Sequence, residues 1–104
     1  MQKASIFLGL NDKDSKLQKI ETAAAVEMLK ASLLRYFVGA SIIPNVIGIF
    51  KHDDGILVTE NSILTIIYGY DRAAVLHFIE DLKKEFNQES ITLEYYESAP
   101  VEFI

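Results

Sequence analysis

The chain has no cysteine and no tryptophan, and only two prolines and five glycines among 104 residues. Without cysteine there are no disulfides, no thiolate nucleophile and no thiolate-held zinc or iron–sulfur centre. The glycines, Gly9, Gly39, Gly48, Gly55 and Gly69, stand apart from one another, so no phosphate-cradling glycine-rich loop forms. Arginine is scarce as well, with Arg35 and Arg72 the only two. The lysines are dispersed, Lys13, Lys16 and Lys19 in one segment and Lys83-Lys84 in another. With 15 acidic against 10 basic residues, a net charge of −5, the chain lacks the clustered basic face that phosphate backbones require. Direct nucleic-acid binding is therefore not expected.

Long apolar runs are missing too. No window approaches the 18 residues of a membrane span. Near the N-terminus the longest apolar run is Ile6 to Leu10, shorter than a signal-peptide core and followed by no small-residue cleavage site. A soluble, cytoplasmic protein is the expectation.

What is present is one domain over residues 1–104. Half the residues are hydrophobic and 24% are charged, an ordinary globular balance. The stretch Val46 to Tyr70 reads as two β-rich runs joined at His52-Asp53-Asp54-Gly55, and Asp-Gly between alternating apolar residues is the strongest short hairpin signal. On either side lies one strand and one helix. Ala4 to Leu10 alternates as a first strand, and Asn11 to Glu21 reads as a long connecting loop whose end is compatible with an extra helical turn.

Thr22 is placed to cap a helix over Ala23 to Phe37, with Val26, Leu29, Leu33 and Phe37 as its buried stripe and Gly39 as a left-handed end. Pro44 is expected to break the chain before a second strand, Asn45 to Lys51. The third runs from Ile56 to about Tyr68, with a kink or bulge at Glu60-Asn61-Ser62. Asp71 caps a second helix over Arg72 to Phe86, striped by Val75, Phe78, Ile79, Leu82 and Phe86. Glu80 and Lys84 pair on its surface, and Asn87 ends it. Ile91 to Glu97 is the fourth strand, and Val101 to Ile104 a short terminal edge piece.

The order β-α-β-β-α-β predicts an α+β, ferredoxin-like domain, a four-stranded antiparallel sheet with two helices on one face and the first and third strands central. The other face should be polar in a monomer. Either register of the third strand, Leu64-Ile66-Tyr68 or Ile63-Thr65-Ile67, instead offers apolar residues, and Phe7 and Tyr96 join the uncovered side. A homodimer through that face, or a larger ring, is expected; the alternative is that the C-terminal tail or the long loop folds over it.

Chemistry-bearing groups are few. His52, Asp53 and Asp54 do not match a calcium loop, and turn chemistry accounts for them. His77 lies about 200° around its helix from Val75, on the exposed side. The remaining candidates are Glu60, Asn61, Ser62, Tyr68, Tyr70, Arg72 and Tyr95, read as a ligand-binding group at the sheet edge or a dimer seam. They suit a small anion or a carbonyl compound. The competing reading has the tyrosines packing with solvated hydroxyls and Arg72 pairing locally with an acid. No catalytic residues, no metal and no cofactor are expected.

Gly48-x-Phe50, Asp54-Gly55, Glu60-x-Ser62 and Phe86-x-Gln88-Glu89-Ser90, with Phe103 near the end, resemble a family of small bacterial domains of unknown function. That resemblance implies no activity. The layout is also similar to PII-type signalling proteins, which bind nucleotides beside a loop between the second and third strands, although the hairpin here is far shorter. Dimeric α/β-barrel enzymes without cofactors share it too. A non-enzymatic ligand- or protein-binding regulatory module is the leading functional reading. A cofactor-free enzyme with a pocket between helices and sheet is the alternative, and an acidic inhibitor of a nucleic-acid-binding protein a third.

Overall fold

The computed structural model describes all residues, Met1–Ile104. Its elements are β1 (Lys3–Gly9), α1 (Thr22–Tyr36), β2 (Ser41–Lys51), β3 (Leu57–Tyr68), α2 (Arg72–Glu85) and β4 (Thr92–Tyr96). The sheet order is β2-β3-β1-β4 and every neighbouring pair is antiparallel, the ferredoxin-like arrangement expected from the element order. None of its helices is long and apolar enough to cross a membrane.

Alternation decides which strand residues the helices cover. Ala4, Ile6 and Leu8 of β1 and Ile63, Thr65 and Ile67 of β3 turn inward and are almost fully buried. They pack against Ala25, Leu29 and Leu33 of α1 and Val75, Phe78, Ile79 and Leu82 of α2, with Phe37 and Phe86 closing the helix ends. The opposite parity, Phe7 with Leu64, Ile66 and Tyr68, is only half-buried. The C-terminal tail forms no strand. It meets the N-terminus through Ala99 and Met1, and on the uncovered face Phe103 sets its ring against Tyr68 at 5.9 Å.

Several local expectations are corrected. Thr22 is the first helical residue instead of the cap; its hydroxyl accepts from Gln18 Nε2, and Glu21 holds the cap position without a side-chain bond. Helix α1 does not end in a left-handed glycine. The chain leaves extended at Phe37, held by that ring's burial against Tyr70 and Phe78 and by the Val38 N–H donating to the Tyr70 hydroxyl at 2.8 Å. Glu80 pairs with Lys83, one residue nearer than Lys84. The end of the long loop forms no extra helical turn, and the loop folds back on itself through an Asn11–Gln18 bridge.

The correction that matters most concerns Pro44. It sits inside β2, which begins at Ser41, and the register jumps between Ile43 and Val46 as one extra residue is taken up. Because β2 is an edge strand, the missing proline N–H removes no needed ladder bond, and Asn45 absorbs the bulge at φ 62°. The irregularity foreseen in β3 at Glu60-Asn61-Ser62 therefore lies across the ladder in β2, and β3 is continuous.

Past the bulge, β2 and β3 continue as a two-stranded arm, since β1 stops pairing at Gly9↔Ser62 while β2 and β3 pair on to Lys51↔Leu57. The arm closes at His52–Ile56, where Gly55 at φ 88° supplies the left-handed residue the turn needs.

Candidate functional site

Beyond the end of β1, three segments enclose a cleft of about 500 Å³. The arm supplies Phe50, His52, Val58 and Glu60, the loop after β1 supplies Asn11, Asp12, Lys13 and Lys16, and the α2–β4 connection supplies Gln88, Glu89 and Ser90. Two rules of local structure bring the arm residues together. Val58 and Glu60 are two apart on β3 and share a face; Phe50 sits directly opposite Val58, and Gly48 opposite Glu60. The Phe50 and His52 rings meet edge-on at 4.9 Å.

The loop wall is fixed by Asp12. Its Oδ2 accepts the backbone N–H groups of Asp14 and Ser15, both at 3.0 Å, and its Oδ1 accepts from Asn87 Nδ2 at 2.7 Å. Those donors, led by Asn87, hold the Asp12 carboxyl well below the usual carboxylate range. Both oxygens are thus committed to architecture. Asn87 reaches Oδ1 because it ends α2 in the left-handed conformation at φ 48°, as its position after the helix predicts. The next residue, Gln88, donates from Nε2 to the Asn11 carbonyl at 2.7 Å and joins the second wall to the third.

Of the lining carboxylates, Glu60 and Glu89 remain available, and Glu60 is the half-buried one. Its Oε2 accepts the Asn11 N–H at 2.9 Å, and Oε1 has no protein donor. Lys13 and Lys16 stand on the loop wall of the same cleft. The lining therefore offers a half-buried carboxylate, two ammonium groups and an aromatic ring within one space, a size and mixture suited to a small zwitterionic molecule.

The seven residues expected to form a site separate into two groups. Glu60 lines the cleft, Ser62 follows on the same face behind it, and Asn61 turns to the other face, where its Nδ2 donates to Gln18 Oε1. Tyr68 lies eight residues from Glu60 along β3, roughly 26 Å away at strand spacing. Tyr70, Arg72 and Tyr95 belong to that distant end. There the Tyr95 hydroxyl donates to the Tyr70 carbonyl at 2.9 Å, and burial raises its pKa above the ordinary tyrosine value. Arg72 opens α2 and forms no ion pair.

Sequence reasoning gave no site role to Asn11, Asp12, Lys13, Lys16, Phe50, Val58, Gln88, Glu89 or Ser90, and it set His52 aside as part of a turn. One signal was present. Of the spaced residues that carried the bacterial-domain resemblance, Phe50, Glu60 and Gln88-Glu89-Ser90 line this cleft, and Gly48, Asp54-Gly55, Ser62, Phe86 and Phe103 do not. His52, Asp53 and Asp54 form no metal-holding cluster, although His52 itself faces the cleft.

No family model and no curated protein matches the sequence. Solved structures do. A phage SAM lyase in complex with S-methyl-5′-thioadenosine is 28% identical, with a TM-score of 0.67 over 91% of this chain and 79% of that one. The phage SAM lyase in its apo state gives a TM-score of 0.63 at 28% identity, over 91% and 78% of the two chains. CutA1 from Oryza sativa, 13% identical with a TM-score of 0.59 over 91% of this chain and 78% of that one, shares the fold alone.

Proposed function

We propose that the cleft binds S-adenosylmethionine and that the chain cleaves it as a lyase, releasing S-methyl-5′-thioadenosine. The observation that carries this reading is the 28% identity to a phage SAM lyase across 91% of the chain. The chemistry of the cleft supports it. The substrate is a cationic sulfonium carrying an amino-acid end and an adenosine end. Glu60 supplies the negative charge for the sulfonium or the ammonium, and Lys13 and Lys16 the positive charge for the carboxylate. Phe50 offers a ring face for the base.

In the reaction, the bond from the sulfonium sulfur to the methionine-side carbon breaks and its electron pair goes to sulfur, which leaves as a neutral thioether. The carbon is satisfied within the substrate, either by its own carboxylate closing a ring or by loss of a neighbouring proton; product analysis separates the two. Neither route needs an added oxidant or reductant. The leading expectation from sequence was a non-enzymatic module, and it is the likeness to a lyase that moves the reading to an enzyme.

Incubating the purified protein with S-adenosylmethionine and resolving products by liquid chromatography is the test. S-methyl-5′-thioadenosine should accumulate, and Glu60→Gln should slow its formation roughly 100-fold, the usual cost of removing one preorganised electrostatic partner. No turnover together with no binding of either compound refutes the reading.

The reading includes self-association through the uncovered sheet face. Phe7, Leu64 and Ile66 are half-buried there without a covering layer, and Ile43 and Tyr96 are exposed. The arm adds Ile47, Ile49 and Leu57 on its other face, so a partner that wraps the arm leaves less apolar surface in water than one touching the flat sheet alone.

A further inference from the structure

We propose that Gly9, the Asn11 amide and Gln88 are positioning residues that aim the Glu60 carboxylate into the cleft, with Oε2 as its anchor and Oε1 as the oxygen that meets a cationic ligand. The proposal rests on the cleft being the working site, and it concerns a different set of atoms from the ligand itself.

Gly9 carries the first half of the case. It is not among the residues with positive φ, so the backbone there does not call for glycine. Space does. A Cβ at Gly9 would lie 2.6 Å from Glu60 Cδ and 2.6 Å from each carboxylate oxygen. The carboxylate thus occupies the volume that any other residue at position 9 would fill. From that berth Oε2 reaches the Asn11 N–H at 2.9 Å, two residues along the same chain.

The second half is the support behind that amide. Gln88 Nε2 donates to the carbonyl of Asn11 at 2.7 Å and to that of Phe86 at 3.2 Å, fixing the far side of the residue whose N–H is the donor against the end of α2. One oxygen of Glu60 is therefore held by backbone and the other is left without a protein partner, the division expected of a preorganised ligand group.

Gly9→Ala is a selective probe. The atoms a new methyl would strike are the far end of a flexible side chain, so the carboxylate swings aside and the sheet stays intact. Its turnover of S-adenosylmethionine should fall about 10- to 100-fold with a raised KM, the scale of a displacement near 1 Å. The melting temperature should stay within about 2 °C of wild type. Glu60→Asp withdraws the carboxylate by one methylene, so in Gly9→Ala/Glu60→Asp the two losses should combine to less than their product. A 15N spectrum adds a readout free of activity: the Asn11 amide should move in Gly9→Ala and in Glu60→Gln.

Turnover of Gly9→Ala within twofold of wild type, or single losses that simply multiply, overturns the proposal. If the wild type neither cleaves nor binds S-adenosylmethionine, the lyase reading falls and the amide still decides. An Asn11 resonance unmoved by Gly9→Ala refutes the positioning, and a displaced one upholds it.

Discussion

Replacing Phe50 by alanine separates ligand binding from folding, because the ring is about half in water before any ligand arrives. It is 51% exposed, with the edge of His52 at 4.9 Å as its aromatic neighbour. Fully burying a phenylalanine contributes about 1.5–3 kcal/mol, so a ring half covered contributes on the order of 1 kcal/mol to folding. A base stacked on an aromatic side chain is worth about 1–3 kcal/mol. A solvent-bordered ring at the mouth of a cleft belongs at the lower end, about 1–1.4 kcal/mol, which converts to roughly 5- to 10-fold in Kd. Titration calorimetry with S-methyl-5′-thioadenosine, beside a urea denaturation of the same variant, reads both quantities. Phe50→Leu keeps apolar bulk without the π-face, and it should show most of the binding loss with little of the folding loss. Affinity unchanged in both variants would show that the adenosine end does not rest on this ring.

Two further outcomes follow from the geometry. The Asp12 carboxyl is held below its ordinary range, so its contribution to stability is complete above about pH 4 and fades as the pH falls through the depressed folded value. Urea midpoints measured down the acid limb should therefore fall more steeply for wild type than for Asp12→Asn, and parallel curves would contradict the assignment. Sedimentation at micromolar concentration should give a mass that is a multiple of 11.7 kDa. Ile49→Lys on the arm should shift it toward the monomer, and a monomeric wild type would remove the self-association.

The fold was legible because every level of the sequence agreed. Asp54-Gly55 marked the hairpin, Asp71 marked the start of α2, and the stripe from Val75 to Phe86 is buried in full. Where local rules misled, a tertiary contact had intervened. Pro44 reads as a breaker, yet an edge strand has no use for the missing donor and a bulge accommodates the ring. Thr22 is an apt cap until Gln18 engages its hydroxyl.

The site was less legible for a reason of topology. Asn11, Phe50, Glu60 and Gln88 lie on separate segments and meet only because β3 runs on past the end of β1 and the α2–β4 connection crosses beside it. Tyr68, Tyr70 and Tyr95 looked like companions of Glu60 because all stand near what the sequence reads as strand ends at a sheet edge. A strand of twelve residues carries its two ends far apart.

The arm gives the cleft an unequal mechanical character. One side is two loops laced together by Asn87 and Gln88, while the other is a ribbon two strands wide, cantilevered past Ser62 and rooted at the Pro44-Asn45 bulge. Two-stranded ribbons have little stiffness of their own. A molecule that touches both Phe50 and the Asn11 loop acts as a strut between a fixed wall and a compliant one. Its grip on the cleft and the arm's resistance to bending are then a single quantity, and changes at the bulge, well away from any ligand, act on both at once.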